Sequence, residues 1–267
     1  MPRWTQDDLP WTDFTPSRLS PGLLKLVKAA ALTEYNAARY SQYLRNVFAS
    51  DHGFCLLIAD WQVEEEQHGA VLGRYAELAD PGYDFARTFR QFSDGYVIPV
   101  EVSRSVRGSC SGELLARCIV ETGTSSFYSV LADSCDEPVL KEICRRIAGD
   151  EYRHYRLFLD GLRRYQALDR LSLLARLKVA VLRVRESDDD ELAFAYHCAN
   201  EPETPYELRR CNRAYGALAY GLYRFHHTEK AVAMVFKAIG LAPQGRLSRW
   251  ASFWAWRQMS KRAAAVG

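Results

Sequence analysis

Apolar residues recur at three- and four-residue intervals along most of the chain, which predicts a protein built from helices. Leu23, Leu24, Val27, Ala31, Ala38, Leu44 and Val47 keep that period. Ser20-Pro21 ahead of them places a capping hydroxyl before a proline at the first helical position, so one long helix is expected from there to about Ser50. Asp51 caps a second helix that carries Cys55, Leu56, Ile58, Ala59, Val63, Val71, Leu72 and Tyr75 and ends before Pro81. Pro81, Gly82, Gly95, Pro99 and Gly108 then punctuate a long connection with room for a short helix over 84–94. A third helix is expected over 111–134, and Asp136-Glu137-Pro138 opens a fourth that runs to about Gln166. Sustained two-residue alternation and hairpin turn signals are missing, which argues against a strand-rich fold.

Two helices, a long crossover between helices 2 and 3, and two further helices form the chain order of an all-α, ferritin-like four-helix bundle. This reading divides the chain into an arm over 1–19, the bundle over 20–167 and a helical C-terminal extension over 168–267. Within the extension, 168–185 is amphipathic, and Ser187-Asp188-Asp189-Asp190-Glu191 is an acidic helix start that suits the helix dipole. Thr204-Pro205-Tyr206-Glu207 opens a helix expected to reach Gly240, and a last amphipathic stretch covers 247–262.

Composition adds three constraints. Hydrophobic residues make up 48% of the 267, enough for a sizeable core, and no low-complexity tract interrupts them. Charge is unevenly spread: 1–167 holds 19 Lys+Arg against 23 Asp+Glu, whereas 168–267 holds 16 against 10. The basic C-terminal third therefore suits an acidic partner or an anionic surface. The seven cysteines are odd in number and form no C-x-x-C, which points to free thiols in a reducing cytoplasm and away from a zinc ribbon or a built-in Cys₄ iron centre. The N-terminus lacks the apolar core of a signal peptide and no apolar run is long enough to cross a bilayer, so a soluble protein is expected. No phosphate-binding loop or nucleic-acid motif is present, and nucleic acid is not an expected partner.

The chemistry is concentrated in two Glu-x-x-His motifs, Glu65-Glu66-Gln67-His68 and Glu151-Tyr152-Arg153-His154. Residues three apart share a helix face, so each motif aims both ligands one way. Glu34 lies 31 residues before Glu65, and Glu121 lies 30 before Glu151, separations that bring an antiparallel hairpin back to the same height. All six side chains are thus expected to meet midway along the bundle. Four buried carboxylates would repel and cost heavily to desolvate, and two divalent ions cancel their charge. Carboxylate and imidazole donors suit two iron ions, with manganese as the alternative, and the ligand set is that of di-iron carboxylate bundles. Asp150 and Arg153 are placed to support the ligands, as is Trp61 at the start of the first motif's helical turn. Gly123, Thr124 and Tyr128 near Glu121 are candidates for a dioxygen or substrate pocket. His52, His197, His226 and His227 are read as surface or capping groups.

Trp61-Gln62-Val63-Glu64-Glu65-Glu66-Gln67-His68-Gly69 resembles the W-x-x-E-E-N-R-H-G motif of soluble acyl-carrier-protein desaturases. Ile147-Ala148-Gly149-Asp150-Glu151-Tyr152-Arg153-His154 resembles their A-A-D-E-K-R-H segment, and Glu121-Thr122-Gly123-Thr124 their E-R-A-T. The resemblance covers about residues 20–165; Glu66-Gln67 stands where the family has Asn-Arg, and Thr122-Gly123 where it has Arg-Ala. It implies that Glu34 and Glu121 are terminal ligands, Glu65 and Glu151 bridge the ions, His68 and His154 complete one ion each, and Thr124 steers protons or dioxygen. It also implies a dioxygen-dependent oxidoreductase that desaturates a carrier-bound fatty acyl chain with electrons from a ferredoxin-like donor.

The expected partners are accordingly dioxygen, an external electron donor, an acyl carrier protein and a second copy of the chain in a homodimer. Arg246, Arg249, Arg257, Lys261 and Arg262 suit an acidic protein, while Trp250, Trp254 and Trp256 among them suit a membrane surface. Two other reactions fit the same ligands: oxygenation of carbon or of an amine nitrogen, and a ferroxidase or iron-storage role.

Overall fold

The computed structural model describes residues 3–186 and 190–264. Eleven α-helices and three short 3-10 turns account for its regular structure, with no strand among the described residues. The helices are α1 (Pro21–Tyr35), α2 (Ala37–Val47), α3 (His52–Ala79), α4 (Phe85–Gly95), α5 (Cys110–Ser134), α6 (Pro138–Gln166), α7 (Leu173–Glu186), α8 (Asp190–Asn200), α9 (Leu208–Gly221), α10 (Phe225–Ile239) and α11 (Arg246–Ala264).

Local chemistry sets most of these ends. The Ser20 hydroxyl accepts the Leu23 amide, Asp51 accepts that of Phe54, and Asp84 that of Arg87. Glu137 does the same for α6: one carboxylate oxygen takes the Leu140 amide and the Tyr75 hydroxyl, each at 2.8 Å, and the other takes the Thr15 amide at 3.0 Å. One carboxylate therefore starts a helix and ties the N-terminal arm and α3 to it.

Two expected helices are broken. The first divides at Asn36, whose backbone (φ −80°, ψ 8°) leaves the helical range directly after Tyr35. The break lets α1 and α2 face different parts of the core. The helix expected from Thr204 to Gly240 divides at 222–224 into α9 and α10, and Glu207 makes no side-chain cap. Apolar periodicity runs through both breaks, so the pattern alone did not reveal them. Residues 187–189 of the expected acidic helix start lie outside the described residues.

Long-range contacts give the helix directions. Lys28 meets Asp80 while the Tyr35 backbone meets Gly69, so α1 and α3 are antiparallel. Ser125 bonds to the Ala148 carbonyl while Leu114 meets Gly161, so α5 and α6 are antiparallel as well. Two large apolar clusters result. One holds Leu23, Leu26 and Val27 of α1, Val71 and Tyr75 of α3, Leu131 of α5 and Ile143 and Ile147 of α6. The other holds Leu44 of α2, Phe54, Ile58 and Trp61 of α3, Leu114 and Leu115 of α5 and Phe158 of α6. Along α3, α5 and α6, residues 65–68, 121–124 and 151–154 fall between the two clusters, and Glu34 follows the first cluster near the end of α1. The apolar pattern thus reserves one polar layer, sealed above and below.

The C-terminal helices complete this core. Ala219 joins the first cluster, Ala180, Ala238 and Ile239 join the second, and α8 packs Ala193 and Tyr196 against Ala29 and Leu32 of α1 in a third. The N-terminal arm also contributes, since Trp4 and Leu9 are buried.

Close helix approach occurs at Gly69, where a Cβ would lie 2.4 Å from the Tyr35 amide nitrogen. Gly123 is exposed and a Cβ there meets nothing within 4 Å, so it does not line a gap beside Glu121 as its small size suggested. Gly69→Ala is expected to destabilise the chain by about 1–3 kcal/mol by overpacking. Gly123→Ala is expected to be neutral or to stabilise it by up to about 1 kcal/mol. Guanidinium unfolding curves of the metal-free chain measure both, and equal effects would refute the assignment.

Candidate metal centre

The polar layer is assembled from one residue of α1 and two or more from each of α3, α5 and α6. Glu34, Glu65, His68, Glu121, Glu151 and His154 are all buried. Their donor atoms form two groups, each within 4.8 Å: Glu34, Glu65, His68 and Glu151 in one, and Glu65, Glu121, Glu151 and His154 in the other. Glu65 and Glu151 belong to both, so the geometry suits two metal ions that share these two carboxylates.

The imidazoles show which atoms face inward. His68 directs Nδ1 to Glu151 Oε1 at 3.1 Å and Glu34 Oε2 at 3.8 Å. His154 directs Nδ1 to Glu65 Oε1 at 2.8 Å and Glu121 Oε2 at 3.9 Å. On the outer side, His68 donates Nε2–H to Asp150 Oδ2 at 3.0 Å and His154 donates Nε2–H to Glu64 Oε2 at 2.8 Å. These outer bonds hold a proton on Nε2 and make Nδ1 the nitrogen that would bind a metal once deprotonated. Burial leaves Glu34 Oε2, Glu65 Oε1, Glu151 Oε1, His68 Nδ1 and His154 Nδ1 without a hydrogen-bond partner. Buried polar atoms are seldom left so, and these five converge on one point; metal ions satisfy all of them together.

The support is nearly symmetric. Asp150 precedes Glu151 and accepts from the histidine of α3; Glu64 precedes Glu65 and accepts from the histidine of α6. Arg153 reaches both outer carboxylates, bonding Asp150 Oδ1 and, at 3.0 Å, Glu64 Oε2. Asp150 also takes the Trp4 indole N–H at 2.7 Å, and the Trp4 ring stacks on His68 at 6.1 Å. Thr124 donates its hydroxyl to Glu151 Oε2 at 2.6 Å, and Tyr128 donates to Glu34 Oε1 at 2.6 Å. Trp61 is buried edge-on to His154. Arg117, one turn before Glu121, bonds its Oε1 at 2.6 Å and lies 4.8 Å over the Trp61 ring.

The fold brings together the six candidate ligands with Asp150, Arg153 and Trp61, as expected; Thr124 and Tyr128, expected to line a pocket, instead bond Glu151 and Glu34. Sequence reasoning missed Glu64, Arg117 and Trp4. Glu64 was legible by analogy, since it precedes its motif glutamate as Asp150 does. Trp4 and Arg117 left no such trace. His197 and His227, read as surface or capping groups, are buried; His227 does cap α10, as its Nδ1 accepts the Arg224 amide. That bond puts the His227 proton on Nε2, which donates it to Asp133 at 2.9 Å, so His227 offers no free lone pair to a metal at the Asp133–His226–His227 group.

Protonation follows from the crowding. Burial pushes Glu121 up to about 8, although Arg117 pulls the other way, and burial with the Glu151 and Glu34 charges raises Glu65. Burial alone would depress His68, but Asp150, Glu151 and Glu34 against its ring outweigh it and raise it. His154 is raised likewise, by Glu151, Glu64 and Glu65 against burial. Glu151 is lowered: both histidines stand against it and outweigh its burial. Protons therefore occupy the layer when metal is absent.

No protein-family model matches this sequence, and no curated protein matches it.

Purified chain loaded with ferrous iron or manganese is expected to bind two ions. Glu121→Ala or His154→Ala is expected to abolish that stoichiometry with helicity intact by circular dichroism. Glu64→Gln or Asp150→Asn should weaken affinity by about 10–100-fold. Full retention of both ions in the alanine variants would remove the ligand assignment.

Because metal displaces protons from groups with raised pKa, affinity should fall as pH drops through about 8, the Glu121 value. Loading near neutral pH should release protons into weakly buffered solution. Affinity that stays constant from about pH 6 to 8 contradicts the protonated layer.

Proposed function

We propose that this chain is a ferritin-like four-helix bundle that binds two iron ions and uses dioxygen to oxidise an organic substrate, with desaturation of a carrier-bound fatty acyl chain as the leading reaction. The observation that carries the reading is the buried hexad of four carboxylates and two imidazoles with five inward atoms unsatisfied. Oxygen and nitrogen donors favour iron or manganese over thiolate-preferring ions. Two divalent charges balance the four carboxylates. Arg153 lies against the Asp150 and Glu64 pair and Arg117 against Glu121, so the layer is close to neutral once loaded.

When bound, paired iron supplies one-electron chemistry and dioxygen activation. The chain's own groups do the rest. Asp150 and Glu64 hold both imidazoles in one tautomer. Tyr128 fixes Glu34 through a single hydrogen bond. Thr124 holds a proton at Oγ1 against Glu151 Oε2, the position from which it could deliver a proton to that carboxylate or take one from it. Trp61 and Phe158 with the apolar clusters keep water out, which preserves oxidising equivalents for substrate. Two ligand histidines and the motif likeness over 20–165 favour an enzyme over an iron store.

The test is dioxygen uptake by the iron-loaded, chemically reduced chain, followed by mass spectrometry of acyl chains on carrier protein from cells with active or Glu121→Ala protein. Uptake near one dioxygen per pair of irons and a product lighter by two hydrogens are expected. A product heavier by one oxygen replaces desaturation with oxygenation. A large cage that accumulates ferric mineral replaces both with storage.

A further inference from the structure

The last helix carries a surface that the redox site does not use. α11 contains Arg246, Arg249, Arg257, Lys261 and Arg262 and no acidic residue. Its inner face packs on α9 and α10 through Ser248 and Ser252, and Met259 meets Thr228 there. The opposite face presents Trp250 at 65%, Phe253 at 54% and Trp254 at 55% exposure, beside the exposed Arg249 and Arg257. Trp4 and Trp61, by contrast, are buried. Water is a poor environment for three large rings on two adjacent turns, so this face is built to meet something.

Its charge pattern decides what. Rings and cations alternate on one face: 246, 250, 253, 254 and 257 all lie within one helical half-turn of each other in projection. A second copy of the chain meeting this face about a twofold axis would set guanidinium against guanidinium with no carboxylate on either side, which repels. A dry apolar groove would have to desolvate the same cations. A surface of anionic lipid satisfies both halves, with indoles at headgroup level and cations on phosphates. α7, which also packs on α10, repeats the pattern with Leu174, Val181 and Lys178 exposed. No helix among the described residues is long and apolar enough to cross a membrane, so the contact is peripheral.

The geometry points to α11 as a docking face for an anionic phospholipid bilayer, with Trp250, Phe253 and Trp254 entering the headgroup layer and Arg249 and Arg257 pairing with lipid phosphate. The assignment stands independently of the metal centre, which lies in the core.

The experiment is flotation of full-length metal-loaded protein with vesicles of phosphatidylcholine alone and of phosphatidylcholine mixed equally with phosphatidylglycerol, with tryptophan emission recorded. Wild type is expected to float only with the anionic vesicles and to shift its emission to the blue. Arg249→Gln with Arg257→Gln should weaken partitioning by roughly 25-fold, near fivefold per cation. Trp250→Ser with Trp254→Ser should abolish the blue shift. Both variants leave the buried face untouched, and circular dichroism with metal stoichiometry checks their fold. Failure to float with anionic vesicles overturns the assignment, as does equal flotation with neutral ones. A Trp250→Ser, Trp254→Ser variant that turns a dimer into a monomer without changing flotation assigns the face to self-association.

Discussion

Six ionisable side chains share one desolvated layer in the middle of this protein, and almost every other feature follows from the cost of keeping them there. Isolated carboxylates in such surroundings would shift to their neutral forms or unfold the chain. Burial and mutual repulsion favour protons on Glu65 and Glu121, and the carboxylates around them favour protons on both histidines; the same atoms could instead hold metal ions. Protons and metal ions would compete for the same atoms of such a layer.

The surrounding architecture serves that balance. Apolar clusters above and below exclude water, which makes each charge interaction stronger and each unsatisfied atom more costly. Gly69 lets α3 approach α1 next to Glu34. The break at Asn36 ends α1 at Tyr35, one residue beyond Glu34. The arm that precedes α1 is also drawn in: Trp4 crosses to α6 and bonds Asp150, joining the N-terminus to the histidine of α3 through a single carboxylate.

Near-symmetry in the support gives a physical reason for the repeated motif. Each Glu-x-x-His supplies a shared carboxylate and an imidazole, and the residue before each glutamate anchors the imidazole of the opposite helix. Arg153 then holds both anchors. The two helices are thus locked to each other through the outer faces of His68 and His154, which fixes the shape of the hexad. Arg117 breaks the symmetry. It has no counterpart near Glu34, whose partner is the neutral Tyr128, so the two ends of the site differ in charge.

The helical class, the long connection over 81–110, most helix ends and the meeting of the six carboxylate and histidine side chains could be read from the sequence, because each rests on local chemistry or on a spacing that a straight helix preserves. Caps such as Ser20 and Asp51 act within three residues, and Glu-x-x-His is a relation within one turn. What tertiary structure alone decided are relations between segments remote in the chain. Glu64 became an anchor only when α6 lay antiparallel to α3, and Trp4 reached Asp150 across 146 residues. The breaks at Asn36 and at 222–224 interrupt no apolar period, since they serve packing against helices that a local pattern does not record. Gly123 illustrates the converse: its size suggested a pocket, but the rotation of α5 turned it outward, and helix rotation is fixed by the whole core.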